Sequence, residues 1–206
     1  MSFRIEEKIF LNFDKSYQIM EWIFANGGYK LYPLRSISSI YFDNDNFELF
    51  RDSEEGCVPR KKIRIRTYND TKIESNNNAL EVKISSVEGR FKTSQKDVNA
   101  LSILKMGYFD SSYGLCRPRV LVNYERDYYR VLGARLTIDK KINYSKLDNK
   151  FNPINTVHDN NIVAEIKANS DYPLEELNRN FYFGRTRFSK YCRAIHSLRN
   201  NGLYSF

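Results

Sequence analysis

The sequence predicts an α+β fold: one large antiparallel sheet system with helices packed outside it. Three observations predict it. Several segments alternate apolar and charged residues with a period of two, as strands with one covered face do. Tyr and Phe number 15 and 14, an aromatic content that favours sheets. Segments with helical spacing are few, and they punctuate the strand runs or close the chain. Of 206 residues, 41% are hydrophobic, enough for a real core and too many for a disordered chain.

Residues 3–11 alternate almost strictly and form the first strand. From Asp14 to Ala25 the apolar residues Tyr17, Ile19, Met20, Ile23 and Phe24 recur at helical spacing, and Gly27-Gly28 supplies the stop. A strand over 36–42 runs into an acidic, briefly helical segment, then a turn at Gly56 and Pro59. Residues 61–68 form the next strand, and the Asn/Ser/Asp-rich stretch 69–78 reads as a mobile loop. Residues 79–86 and 89–94 form a hairpin turning at Glu88-Gly89. A helix over 95–107 ends at Gly107. Two long strands, 118–130 and 134–140, flank a turn at Gly133. A loop with Pro153 leads to a strand at 161–168, and helices near 172–179 and 188–199 close the chain. No repeat or linker interrupts the sequence, so residues 1–206 read as one domain.

Cys57, Cys116 and Cys192 are an odd number without metal-ligand spacing, the pattern of reduced thiols in a cytoplasmic protein. Charges by Arg4 and Glu6 exclude a signal peptide, and no apolar run reaches the length of a membrane span. Any membrane role would need a partner. The formal net charge of +8 implies an anionic partner; by itself it leaves nucleic acid, phosphate compounds and anionic lipid open.

The placement of the charges narrows the choice. Residues two apart on a strand share a face. Arg4, Glu6 and Lys8 therefore share one, as do Lys62, Arg64 and Arg66, then Glu81 and Lys83, then Tyr124 and Arg126. Arg135, Thr137 and Asp139 lie opposite Leu136 and Ile138, and Glu165 and Lys167 lie opposite Ala164 and Ile166. An amphipathic sheet with one solvated face accounts for any single strand. It does not account for ionic residues on strand after strand with Arg recurring, since Arg is suited to bidentate oxyanion recognition. Closing such a sheet crowds cations together, which an entering polyanion relieves. The accompanying carboxylates offer hard oxygen ligands to Mg²⁺ or Mn²⁺. Because the cations fall at strand spacing and no base-stacking motif is visible, a specific nucleic-acid role is disfavoured.

These motifs together resemble the polyphosphate polymerase (VTC, vacuolar transporter chaperone) domain of the triphosphate tunnel metalloenzymes. The resemblance lies in Arg4-x-Glu6-x-Lys8, Ser39-Ile-Tyr-Phe-Asp43, Lys62-Ile-Arg-Ile-Arg66-x-Tyr68, Leu80-Glu-Val-Lys83 and Gly89-Arg-Phe-Lys92. It continues in Val122-Asn-Tyr-Glu-Arg126, Arg135-Leu-Thr-Ile-Asp139, Ala164-Glu-Ile-Lys167 and Phe188-Ser-Lys-Tyr191. It implies an eight-stranded antiparallel tunnel that uses ATP and Mn²⁺ or Mg²⁺ to extend polyphosphate. Lys8, Arg64, Arg66, Lys83, Arg126 and Lys190 would act on the phosphates undergoing transfer. Lys92, Tyr124, Arg135, Ser189 and Lys167 would bind substrate, and Glu165 would hold the metal. Arg4 stands where the wider superfamily tends to have Glu, which fits the polymerase branch and argues against a two-metal hydrolase. The inositol-phosphate-sensing domain and membrane helices of the eukaryotic polymerases have no counterpart here.

A polyphosphate acceptor is already ionised at neutral pH, so chain extension needs no general base. Neither histidine is placed as one: His158 sits in a polar loop and His196 on the last helix. Hydrolysis would need an activated water, for which Glu6, Glu81 or Asp139 could serve, although pairing with neighbouring Lys or Arg is their more ordinary role. The alternatives are therefore a metal-dependent tripolyphosphatase or nucleoside triphosphatase, and a non-catalytic polyanion-binding module. Trp22 and Cys192 read as packing residues, as does the apolar stripe Phe188, Tyr191, Ile195 and Leu198.

Overall fold

The computed structural model describes residues 4–69, 78–169 and 183–204. The chain builds strands β1 (Arg4–Leu11), β2 (Tyr29–Asp43), β3 (Arg60–Tyr68), β4 (Asn78–Ser86) and β5 (Gly89–Lys96). They are followed by β6 (Tyr108–Asp110), β7 (Gly114–Val131), β8 (Ala134–Leu147), β9 (Pro153–Asp159) and β10 (Ile162–Asn169). The helices are α1 (Phe13–Ala25), α2 (Glu48–Glu55), α3 (Ala100–Met106) and α4 (Lys190–Asn200). Eight strands follow the order β1-β10-β8-β7-β2-β3-β4-β5, with β6 on β7 and β9 on β8. The pairings β1–β10, β10–β8, β2–β3, β3–β4 and β4–β5 are antiparallel. The α+β class and the eight-stranded antiparallel path are those the sequence predicts.

Two compact units make up the chain. The first comprises residues 1–35, 124–142 and 159–188, the second residues 36–123, 143–158 and 189–206. In the first, Ile9 and Leu11 of β1, Leu136 and Ile138 of β8, and Ala164 and Ile166 of β10 meet Ile19, Trp22 and Ile23 of α1 in one buried cluster. Helix α1 starts where Asn12 Oδ1 accepts the Lys15 N–H at 2.9 Å. After its end the chain folds back tightly at Gly28, where a Cβ would lie 2.5 Å from Ile23 Cγ2 and 2.6 Å from Ile23 O. Only glycine fits that return.

In the second unit the apolar row Ile40, Phe42, Ile63, Ile65, Leu80 and Val82 packs with Leu49 of α2 and Leu104 of α3. The last residue of β2, Asp43, is fully buried. Its carboxylate accepts the backbone N–H groups of Asn44 (2.8 Å), Leu49 (3.0 Å) and Phe50 (2.9 Å), two of them in the first turn of α2. It also accepts the Tyr191 hydroxyl at 2.5 Å, so one side chain ties β2 and α2 to α4. Burial pushes the Asp43 carboxyl up from its ordinary value, and burial and the Asp43 charge push the Tyr191 phenol well up. Tyr191 in turn stacks on Tyr41, with centroids 5.2 Å apart and an interplanar angle of 19°.

Several boundaries differ from expectation. Residues 95 and 96 are not helical: they pair with Leu80 and Ala79 in β5, and α3 begins only after its cap at Asn99. Cross-strand pairing there outweighs helical propensity. The expected loop at Pro153 is strand β9, which pairs with β8, itself extended to Leu147. Strand β2 begins at Tyr29 rather than at 36. The final helix starts at Lys190, because Ser189 is its cap rather than part of it. The expected helix at 172–179 lies outside the described residues, as does most of the loop at 69–78.

The Asp43 network sets a stability expectation. Asp43→Ala strands several buried donors and should cost about 3 kcal/mol, whereas Tyr191→Phe, losing one bond, should cost about 1 kcal/mol. Urea unfolding midpoints measure both. Equal, small shifts in the two variants would show that the carboxylate does not hold the three elements together.

Candidate functional site

The charged faces of the strands lie opposite the two apolar clusters. In the first unit the register sets Lys8 of β1 beside Glu165 of β10 and Glu165 beside Thr137 of β8. The neighbouring rung aligns Glu6, Lys167 and Arg135. Ion pairs run across the two rungs. Lys167 Nζ lies 3.2 Å from Glu6 Oε2 and 2.6 Å from Glu165 Oε1, and Lys8 Nζ lies 3.5 Å from Glu6 Oε1. Lys8 also donates to the Phe188 carbonyl at 3.3 Å. Glu165 is 8% exposed. Burial by itself would push the Glu165 carboxyl up, yet the Lys8 and Lys167 charges overcome burial and hold it well below the usual carboxylate range. Its buried Oε1 has no well-aligned hydrogen bond among the described residues, although Lys167 is close. Arg126 of β7 forms a bidentate pair with Asp139, at 2.5 and 2.7 Å, and its guanidinium carbon lies 5.2 Å from the Tyr124 ring centre.

The second unit carries a denser array. Glu81 of β4 faces Arg64 of β3 in register and accepts from Arg64 Nε at 2.7 Å and from a terminal nitrogen at 2.5 Å. Arg66 lies 3.7 Å from the same carboxylate, and Lys92 of β5 bonds its other oxygen. Glu81 is 2% exposed. Burial would raise it, but the Arg64 and Arg66 charges and the Lys92 and Arg64 bonds prevail and hold it at about 2. Arg64 also donates to the Tyr41 hydroxyl at 2.9 Å, and Arg66 is oriented by Ser39 Oγ at 3.4 Å and the Tyr68 hydroxyl at 3.5 Å. Burial opposes ionisation of both phenols, yet the nearby arginines leave Tyr41 and Tyr68 below their ordinary value. The adjacent rung aligns three lysines, Lys62, Lys83 and Lys92.

Ser189 and Lys190 open α4, where the Ser189 hydroxyl accepts the Cys192 N–H at 3.3 Å and a Lys62 bond at 2.8 Å. The positive end of the helix dipole favours an anion at such an end.

Within the first unit the structure brings together Lys8, Lys167, Arg135 and Glu165, and it sets Arg126 over Tyr124. Within the second it brings together Arg64, Arg66 and Lys92 around Glu81, with Lys83 and Ser189 on the flanking lysine rung and Lys190 next along α4. Glu6, Glu81 and Asp139 are ion-paired. His196 is held on the surface by Glu54 at 2.6 Å, and His158 Nδ1 lies 2.5 Å from Asn143. Sequence reasoning left three contributors out of the site. Lys62 sits on the expected face, but its bond to Ser189 spans 127 residues. Tyr41 and Tyr68 carry hydroxyls that orient Arg64 and Arg66. Alternation gave the signal for both, since each lies two residues from a site residue or its register partner.

The class these features define is an antiparallel α+β sheet protein whose strands present arginines and lysines around a few shared carboxylates. The VTC domain family model matches residues 3–110 and 101–199, and the chain belongs to that family. No curated protein matches it in sequence. Among solved structures it is similar to the PH1012 protein of Pyrococcus horikoshii OT3, with a TM-score of 0.57, 14% identity, and coverage of 92% of this chain and 99% of that one. A proposed adenylate cyclase of Vibrio parahaemolyticus gives a TM-score of 0.56 at 15% identity, covering 94% of this chain and 98% of that one. A proposed adenylyl cyclase of Hippeastrum, described as having a dominant triphosphatase activity, gives 0.51 at 15% identity, covering 94% and 96%. These likenesses establish a shared fold.

The Glu81 cluster predicts an acid-side stability slope. Its folded value of about 2 lies below the unfolded carboxylate value of about 4.3, so its contribution is complete above that value and is lost as pH falls towards 2. The amount is on the order of 3 kcal/mol. Glu81→Gln should therefore be less stable at neutral pH and flatter between pH 4.5 and 2 in urea titrations. Parallel slopes in the two proteins would remove Glu81 from that role.

Proposed function

We propose that this chain is a polyphosphate polymerase that transfers the γ-phosphate of ATP to a growing polyphosphate chain, with residues 1–206 acting as one domain. The observation that carries the reading is the sharing of one buried carboxylate among several cations: Arg64, Arg66 and Lys92 all pair with Glu81. Such an array is incomplete without an anion. The acceptor oxygen of the chain end attacks the γ-phosphorus, an O–P bond forms, the bond to the β-phosphate bridging oxygen breaks, and ADP leaves. No proton has to be removed, which fits a set of cations without a histidine base.

In this reading Lys8, Arg64, Arg66, Lys83, Arg126 and Lys190 neutralise charge on the reacting phosphates. Lys92, Tyr124, Arg135, Ser189 and Lys167 position the nucleotide and the chain. The donor set fits a divalent metal of the Mg²⁺ or Mn²⁺ kind. Glu165 offers a buried oxygen without a well-aligned bond, and Glu6 shares Lys167 with it. No group of three or more His, Cys, Asp or Glu side chains suited to a metal exists among the described residues. One or two carboxylates completed by substrate phosphates is the usual way such an ion is held. Bound there, the metal would supply Lewis-acid neutralisation of phosphate charge.

No described helix is long and apolar enough to cross a membrane. The free thiols Cys57, Cys116 and Cys192 support a reducing, cytoplasmic setting.

The test is incubation with ATP and Mn²⁺, a gel stained for polyphosphate, a parallel free-phosphate assay, and Glu165→Ala alongside. A polymer ladder in the wild type, falling at least a hundredfold in the variant, is the expected result. Free phosphate without polymer would replace the reading with a triphosphatase. Binding of ATP or polyphosphate without either product would leave a polyanion-binding module.

A further inference from the structure

The cationic face of the second unit does not stop at the Lys62–Lys83–Lys92 rung. One step outward along the strands, about 7 Å on, the register aligns Arg60 of β3, Ser85 of β4 and Arg90 of β5. This rung belongs to none of the phosphate contacts assigned above. Arg60 donates to the backbone carbonyls of Gly56 at 3.2 Å and Cys57 at 2.8 Å, contacts that hold the guanidinium in place without neutralising it. Accessibility rises along β3 and outward across the face. Arg66 and Arg64 are 8% and 9% exposed, Lys62 and Arg60 are half-buried, and Arg90 is exposed.

We propose that Arg60, Ser85 and Arg90, joined to the inner site by Lys62, form a subsite for a linear polyphosphate beyond the three phosphates of a nucleotide. The inference rests on the polymerase reading and assigns it a place for the chain. The dry inner rungs suit phosphates whose charge must be compensated during transfer. The wetter outer rung suits a flexible chain that has to move, because exposed charge pairs are individually weak. Cations that merely guard a sheet edge against pairing would be confined to β5, at the end of the strand order. Arg60 and Lys62 lie two strands inside it, on β3. The Ser85 hydroxyl between the two arginines adds a neutral donor for a phosphate oxygen.

Binding separates this subsite from the inner site without any turnover. Affinities for tripolyphosphate and for a polyphosphate several times longer are measured in the full chain at several salt concentrations, for the wild type and for the double variant Arg60→Ala, Arg90→Ala. The wild type should bind the longer chain more tightly. The double variant should lose about tenfold for the longer chain, with a shallower salt dependence, and change less than twofold for tripolyphosphate. Arg90→Ala alone, which leaves the turn at 56–57 untouched, should show the same selectivity at smaller size. Equal losses for both ligands, or no loss for either, would overturn the subsite while leaving the inner site intact. A wild type that binds neither ligand would instead overturn the polymerase reading together with the subsite built on it.

Discussion

Repulsion among like charges on adjacent strands is the constraint around which this protein is organised. Lys62, Lys83 and Lys92 stand in one rung, and Arg64 and Arg66 follow on the same face. Such an array is tolerated because its buried carboxylate, Glu81, is shared by two arginines and a lysine. A carboxylate per cation would have made a closed, inert salt network; sharing leaves residual positive potential for an incoming anion. The stability that permits this comes from the opposite faces, where the two apolar clusters bury Ile, Leu, Val and aromatic side chains.

Much of this was legible because strand side chains alternate. Knowing that Lys8, Arg64, Glu81 and Glu165 fall at even spacing from their neighbours fixes their face, and the face carries the charge. Register was not legible. That Lys8 stands beside Glu165, or that Arg64 meets Glu81, depends on which strands pair and where. Element ends were the least legible. Residues 95 and 96 have no local feature forbidding helix, and only the β4 partner strand keeps them extended. The Lys62–Ser189 bond joins residues whose proximity no local pattern reveals. Tyr41 and Tyr68 read as strand aromatics, and their hydroxyls gain meaning only from the guanidinium groups they meet.

The Asp43 carboxylate also bears on how the protein is made. Tyr191, which completes its bonding, lies 148 residues further along the chain. While the chain is being synthesised, β2 and α2 are present with a buried acid whose fourth partner has not yet emerged. An acid that is hard to bury unsatisfied keeps that region loose until the final helix arrives. Contacts of such long sequence separation also slow folding. Ser189 and Lys190, immediately before Tyr191, therefore reach their places only together with α4. The cationic array of the second unit gains its helix end only once the chain has been translated past Tyr191, so a product terminated before that point would carry most of the cations but not the anchored helix end that accompanies them.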